Sequence, residues 1–233
     1  MFSRTAHVYD AIYSFKDYPA EAARLRELVE ERVDGARTLL DVACGTGKHL
    51  AELRARYEVE GVDLDPALLA IARDRLPCVP LHEGDLVSLD LGREFDVVTC
   101  LFSSIAYVVT RERLRGACEA LARHVAPGGL LVIEPWVLPE QWMPDHVGAV
   151  FVDEPELKIA RINAPGPLTD PLVMEMEYLV GTPLGMERFS ERHELGMFTR
   201  AEYLGAAGRA GLDVEWDEHG LTGRGLILGR RGA

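Results

Sequence analysis

Two hydrophobic periods follow one another along this chain. Short, nearly uninterrupted apolar runs at residues 38–42, 59–62, 95–101 and 130–134 predict strands buried on both faces, which lose the in–out alternation of a half-buried strand. Between them, residues 48–57, 66–75 and 110–125 repeat apolar positions at helical spacing. Residues 19–33 place Ala22, Leu25, Leu28, Val29 and Val33 on one stripe behind a first-turn proline, Pro19. Strands alternating with helices predict a parallel sheet covered on both faces. After Pro135 the period becomes two: LKIARINA, LVMEMEYLVGT and RFSERHELGMF alternate apolar and polar residues around the turn-rich NAPGPLTDP. The pattern predicts an antiparallel insertion over 148–198 that interrupts a core of 1–147 and 199–233. Thr199 and Glu202 form a capping-box pattern for a helix ending near Gly211, and strands at 212–217 and 226–230 flank the turn EHGLTGRG.

A chain of 233 residues suffices for one well-buried α/β domain with an insertion, hence one active site. With 25 basic against 38 acidic residues, its charge of −13 repels polyanions, so nucleic acid is not an expected partner. A small phosphorylated substrate stays open, because two or three converging arginines override a weak overall field at short range. No apolar run reaches membrane-spanning length, and MFSRTAHVYD lacks the apolar core of a signal peptide. Cys44, Cys78, Cys100 and Cys118 have no metal-ligand spacing and the seven histidines form no ligand-spaced cluster, so no metal and a reducing cytoplasm are expected. His124, after the predicted helix in ARHVAPGG, reads as a residue bonding that helix's last carbonyls.

The chemistry begins at LLDVACGTGKHL, where an apolar strand breaks into glycines and resumes as a helix. Gly45 and Gly47 allow a sharp turn and a ligand's close approach to main-chain atoms. A dinucleotide fingerprint wants a third glycine where Leu50 stands, and the phosphate P-loop pattern is absent. The cradle therefore suits something other than a pyrophosphate. Asp63, ending the next strand, stands where a carboxylate accepts both ribose hydroxyls of an adenosine. Asp85, at the end of the predicted third strand, is placed to accept from an adenine amino group, with Leu64 and Leu86 as apolar faces for the ring. Asp41 serves either the loop or a ligand ammonium, and His49 follows the cradle.

LLDVACGTGKHL, GVDLDP, EGDL, FDVVTCLFSS and APGGLLVIEPW, in this order, together resemble the class I S-adenosylmethionine-dependent methyltransferases. The resemblance implies a doubly wound, Rossmann-like, seven-stranded sheet whose last strand is antiparallel, here with the insertion after the fifth strand. VYDAIY, KDYPAEA, CLFSSIAY, VIEPWVLPEQW and TGRGLILG are similar to the sugar N-methyltransferases that dimethylate a nucleotide-linked amino sugar in antibiotic biosynthesis. The tyrosine which that family places shortly before VYD has no equivalent here, Phe2 being the nearest aromatic. By resemblance, S-adenosylmethionine is the cofactor, Tyr9 and Tyr18 hold its methionine end above Ala43 and Gly45, and Leu101 lies beside it. Packing of the N-terminal helices is the alternative for either tyrosine. Tyr107 orients or deprotonates the acceptor amine, or caps the next helix. His193 faces the acceptor from the insertion. Glu134, Trp136, Arg161, Arg188 and Arg224 are substrate candidates, Arg224 for a diphosphate or sugar. A dTDP-linked amino sugar is the expected acceptor and a homodimer the expected assembly. Another small-molecule amine or hydroxyl, a nicotinamide-dependent oxidoreductase and a non-catalytic nucleotide-binding protein are the competing readings.

Overall fold

The computed structural model describes residues 5–144, 146–164 and 168–233; Phe2 and residues 165–167 of the predicted turn lie outside them. In chain order come α1 (Tyr9–Ile12), α2 (Tyr18–Glu30), β1 (Thr38–Val42), α3 (Lys48–Leu53), β2 (Glu58–Asp63), α4 (Pro66–Arg75), β3 (Leu81–Glu83) and β4 (Phe95–Cys100). They are followed by α5 (Arg111–Arg123), β5 (Val125–Ile133), β6 (Gly148–Glu154), β7 (Leu157–Ala164), β8 (Leu172–Thr182), β9 (Gly185–Leu195), α6 (Arg200–Arg209), β10 (Leu212–Asp217) and β11 (Leu226–Arg231). Seven strands lie in the order β10-β11-β5-β4-β1-β2-β3, with β11 antiparallel to both neighbours and the other adjacent pairs parallel.

Successive side chains of a strand point to opposite faces, so each apolar strand feeds two cores. Leu39, Val97, Leu130, Val132, Leu226 and Leu228 pack with Leu25, Leu28, Leu50 and Leu69 of α2, α3 and α4. Their neighbours Leu40, Val98, Leu131, Ile133 and Ile227 pack with Leu114, Leu121, Tyr203 and Ala207 of α5 and α6. This is the doubly wound arrangement that the apolar runs predicted.

The helix ends obey local chemistry. Asp17 accepts the Ala20 N–H at 2.9 Å to start α2, and Thr199 with Glu202 forms the predicted capping box of α6. His124 follows α5 with Nδ1 2.6 Å from the Ala120 carbonyl, while Nε2 accepts the Leu91 N–H at 2.9 Å.

Several boundaries move for tertiary reasons. α3 stops at Leu53, short of the predicted 57, because the chain must turn for the Glu58 N–H to reach the Arg37 carbonyl at 2.7 Å and open β2. α2 ends at Glu30 and leaves Val33 outside it. β5 begins at Val125 rather than 130, across a register irregularity opposite Phe95 and Val97. β3 ends at Glu83, so Asp85 lies in the following turn, where its side chain accepts the Val87 N–H at 2.8 Å.

The insertion is a separate antiparallel sheet in the order β6-β7-β8-β9. Its inner face, with Val152, Ile159, Met176, Val180 and the stacked pair Tyr178 and Phe189, packs on Val8 and Ile12 from the N-terminal segment. Its outer face exposes Phe151, Ile162, Leu179 and Met186. Among the described residues no helix is long and apolar enough to cross a membrane.

Candidate active site

β1 delivers the chain to the carboxyl edge of the sheet, where Ala43, Gly45 and Gly47 turn it with φ of 64°, 57° and 75°. Only glycine takes such angles without strain, so an alanine holding one at the cradle marks a backbone fixed by its surroundings. A Cβ built on Gly45 would meet nothing within 4 Å, because the space above it is the mouth of a cavity. Asp63, ending β2, is 8% exposed; its Oδ2 accepts the Gly45 N–H at 2.7 Å and its Oδ1 the Asp65 N–H at 2.8 Å. Burial pushes this carboxyl above its usual range, against the pull of the backbone N–H groups of Asp65, Gly45 and Leu64. A carboxylate has about four lone-pair sites, so this one keeps acceptor capacity for a ligand hydroxyl.

A cavity of about 440 Å³ opens from this edge between Tyr9, Ala43, Gly45, Asp63, Leu64 and Leu86. Leu64 is 56% exposed there, an apolar surface beside polar groups that suits a flat heteroaromatic ring. Asp85 lines the far end, with Oδ2 3.4 Å from Arg113 Nη2. An adjoining pocket of about 30 Å³ is bounded by Tyr18, Asp41, Ala43, His49 and Leu101. Asp41 is 1% exposed and accepts the Thr99 hydroxyl at 2.7 Å; burial pushes its carboxyl up to about 6. His49 Nε2 lies 2.8 Å from Glu21, whose carboxyl burial would raise but His49 and Lys16 together hold below its usual range. Every predicted cofactor residue except Gly47 lines one of these two cavities; Gly47 shapes the turn and starts α3.

A larger cavity of about 630 Å³ lies between the inner face of the insertion, the N-terminal segment and the loops after β4 and β5. Trp136, Arg161 and Arg224 line it, as the sequence reading placed them. Arg161 Nη1 donates to the Tyr13 hydroxyl at 3.1 Å, while among the described residues its buried Nε and the buried Trp142 Nε1 have no hydrogen-bond partner. Arg224 Nη1 donates to Ser103 Oγ at 2.9 Å. Two guanidiniums converging on one cavity give a local positive site within an acidic molecule.

Three expectations are corrected. Glu134 is fully buried behind the wall: its Oε2 accepts the Phe102 N–H at 2.7 Å and its Oε1 the Thr222 hydroxyl at 2.7 Å, so both oxygens brace loops. His193, 1% exposed, does not line the acceptor cavity; it stands behind Tyr107, with Nδ1 2.9 Å from the phenol oxygen. Arg188 sits on the outer face of the insertion, paired with Glu177 at 3.3 Å.

Sequence reasoning also missed Tyr13, Lys16, Phe102, Ser103, Trp142 and Thr222, all of which line the larger cavity. Phe102 and Ser103 had a positional signal, since they directly follow β4 at the ligand-binding edge of an open α/β sheet. They carry left-handed φ of 53° and 63°. Tyr9, Ser104 and Tyr107 line both large cavities. Methyl transfer between two ligands needs such a shared wall.

This strand order, with a glycine cradle and an acidic end to β2 on one cavity, defines the Rossmann-like methyltransferase class. A methyltransferase-domain family profile matches residues 39–129. A dTDP-4-amino-2,3,4,6-tetradeoxy-D-glucose N,N-dimethyltransferase of Saccharopolyspora spinosa is 41% identical over 97% of this chain and 92% of its own. A dTDP-3-amino-3,4,6-trideoxy-alpha-D-glucopyranose N,N-dimethyltransferase of Streptomyces venezuelae is 40% identical over 96% of both chains. Among solved structures, DesVI of Streptomyces venezuelae superposes with a TM-score of 0.92 at 40% identity, covering 98% of each chain. The SAM-bound amino pentose methyltransferase CalS10 from Micromonospora echinaspora superposes at 0.87 with 42% identity over 96% of each. The chain belongs to the family of S-adenosylmethionine-dependent sugar N,N-dimethyltransferases. The oxidoreductase and non-catalytic readings are thereby overturned, and Leu50, fully buried in α3, fills the place that a dinucleotide fingerprint gives to glycine.

Proposed function

We propose that the protein methylates the amine of a dTDP-linked amino sugar, the reaction for which its relatives are named. The observation that carries this reading is the shared wall of Tyr9, Ser104 and Tyr107 between a cavity fitted to an adenosine and one carrying Arg161 and Arg224. Bound S-adenosylmethionine supplies an electrophilic methyl group on a sulfonium. The chain's own residues hold, align and desolvate the two ligands. Asp63 accepts the ribose hydroxyls, Leu64 and Leu86 cover the adenine, and Asp85 accepts from its amino group. Tyr9, Tyr18, Asp41, Ala43 and His49 surround the methionine end. Arg224 and Arg161 meet the diphosphate, Trp136 and Trp142, tilted 54° at 5.8 Å, offer faces for sugar and base, and Tyr107 meets the amine.

The protein acts as a homodimer built on the exposed apolar row of the insertion, where Phe151, Ala160 and Leu179 lie side by side across β6, β7 and β8. Residues 1–147 and 199–233 carry the cofactor, and 148–198 form the acceptor wall and the dimer contact. A cytoplasmic setting fits the nucleotide-linked acceptor. Incubation with S-adenosylmethionine and a panel of dTDP-linked amino sugars, read by mass spectrometry, tests the acceptor. Methylation of a hydroxyl-bearing or free amine acceptor in preference to every sugar nucleotide overturns it.

A further inference from the structure

One buried carboxylate stands between the acceptor cavity and the pocket for the methionine end of the cofactor. Glu21, in the first turn of α2, is 6% exposed. Its Oε1 lies 2.7 Å from Lys16 Nζ, and its Oε2 accepts the His49 Nε2–H at 2.8 Å. Burial alone would raise this carboxyl, but the two donors hold it below its usual range, so it stays charged. The side chain of Lys16 is 3% exposed and lines the acceptor cavity but neither cofactor cavity. His49 lines the methionine pocket and not the acceptor cavity. Tyr18, another wall of that pocket, sets its ring 4.8 Å from the imidazole and 5.4 Å from the Lys16 ammonium. The cluster has one end in each site.

We propose that Glu21 is a positioning residue that couples the two sites: by holding Lys16 and His49 at once, it makes cofactor and acceptor nucleotide tighten each other's binding. This rests on the sugar-nucleotide reading above and adds to it a dependence of each ligand on the other. Breaking a buried charge pair is costly, because the partner left behind stays desolvated and uncompensated. The three side chains therefore align as a unit. In the alternative arrangement Lys16 turns out to water. Residues 13–17, which carry it, lie between α1 and α2, and the neighbouring Phe15 is exposed, so water is within reach.

Each ligand favours the aligned arrangement for its own reason. The methionine end of the cofactor needs His49 and Tyr18 in place as walls of its pocket. An anionic nucleotide needs Lys16, which adds a third cation to Arg161 and Arg224 on the same cavity. A ligand that selects one arrangement raises the affinity of every other ligand of that arrangement, and the help is equal in both directions. An effect of about fivefold requires the aligned form to be about a fifth of the ligand-free population.

Titration calorimetry with S-adenosylhomocysteine and dTDP, which form no product together, reads this coupling. The proteins compared are the wild type, Glu21→Gln, Lys16→Met and the double variant, each checked for folding by its melting. Glutamine keeps the shape of Glu21 without its charge, and methionine keeps most of the length of Lys16 without the ammonium. In the wild type, saturating S-adenosylhomocysteine is expected to tighten dTDP binding about fivefold or more, and dTDP to tighten S-adenosylhomocysteine by the same factor. In Glu21→Gln each ligand alone binds more weakly and the mutual factor falls to about one. A merely structural Glu21 would weaken both ligands and leave the factor as it was, and a wild-type factor in Glu21→Gln overturns the proposal. Lys16→Met gives a readout without nucleotide. It is expected to weaken S-adenosylhomocysteine about threefold or more, although Lys16 lines neither cofactor cavity, and to cost nothing further in the Glu21→Gln background. Wild-type affinity in Lys16→Met, or a loss that persists in the double variant, overturns the bridge. Failure of dTDP to bind the wild type at millimolar concentration, with or without S-adenosylhomocysteine, would overturn the sugar-nucleotide reading instead, with the Lys16 result still deciding the bridge.

Discussion

Asp63 joins two roles in one side chain, holding the cradle through the Gly45 N–H and facing the cavity floor. Asp63→Ala is expected to weaken S-adenosylmethionine binding by about 1–3 kcal/mol, measured by titration calorimetry on a variant checked for folding. An unchanged Kd removes Asp63 from the site. Asp41 gives a stability prediction with a definite sign. Its folded carboxyl titrates near 6, above the usual value of 3.8, because burial penalises the charge more than the Thr99 hydroxyl relieves it. A carboxyl raised on folding stabilises fully below its unfolded value and loses that contribution as pH rises through the folded one. The ligand-free protein should therefore lose about 1–3 kcal/mol from this group between pH 4 and 6. Asp41→Asn should melt higher than wild type at pH 7.5, the gap closing near pH 4. A gap that persists at low pH contradicts the assignment. For Arg224→Ala the expected effect is a raised acceptor KM with cofactor Kd retained, and the reverse pattern would move the β10–β11 turn to the cofactor side. Cradle residues were legible because glycines and a strand-end acid answer local demands of the backbone turn. Tyr13, Lys16 and Trp142 left no such mark, since only the packing of the insertion against the N-terminus gives them their place.

At the scale of elements, the apolar runs located six strands of the seven-stranded sheet, while β3 was placed only by the acid expected to end it and α1 left no signal; Thr199 was read as a helix cap, and Asp17 and Thr110 cap α2 and α5 in the same way. The errors fell where a tertiary bond ends an element, as at Leu53 and Glu83. Glu134 illustrates the same limit. At the end of the fifth strand it read as a ligand contact, whereas it joins three elements by accepting from Phe102 after β4 and from Thr222 before β11. Glu134→Ala leaves the Phe102 N–H without its acceptor in a part-buried site, at an expected cost of about 1–3 kcal/mol. Because Ser103 and Arg224 belong to the same two loops, the acceptor KM should rise as well. A melting temperature and KM that both match wild type contradict the brace.

For the whole molecule, the insertion closes the acceptor cavity on one face and presents apolar side chains on the other. Phe151 is 72% exposed and Leu179 45%, a costly surface for a lone protomer. Light scattering is expected to give twice the chain mass, and Phe151→Asp with Leu179→Asp to give a folded monomer. A wild type that is monomeric at micromolar concentration contradicts this use of the face. The net charge of −13 made a polyanionic partner unexpected from the sequence alone, but only the fold shows Arg161 and Arg224 gathered on one cavity. On the proposed function, two ligands meet across Tyr9, Ser104 and Tyr107, one an S-adenosyl sulfonium and the other the amine of a nucleotide-linked sugar. The direct measurement is mass spectrometry of dTDP-linked amino sugars after incubation with the protein and S-adenosylmethionine. A gain of one and then two methyl groups on the sugar nitrogen is expected. No gain on any of them, while another amine or a hydroxyl acceptor is methylated, would contradict it.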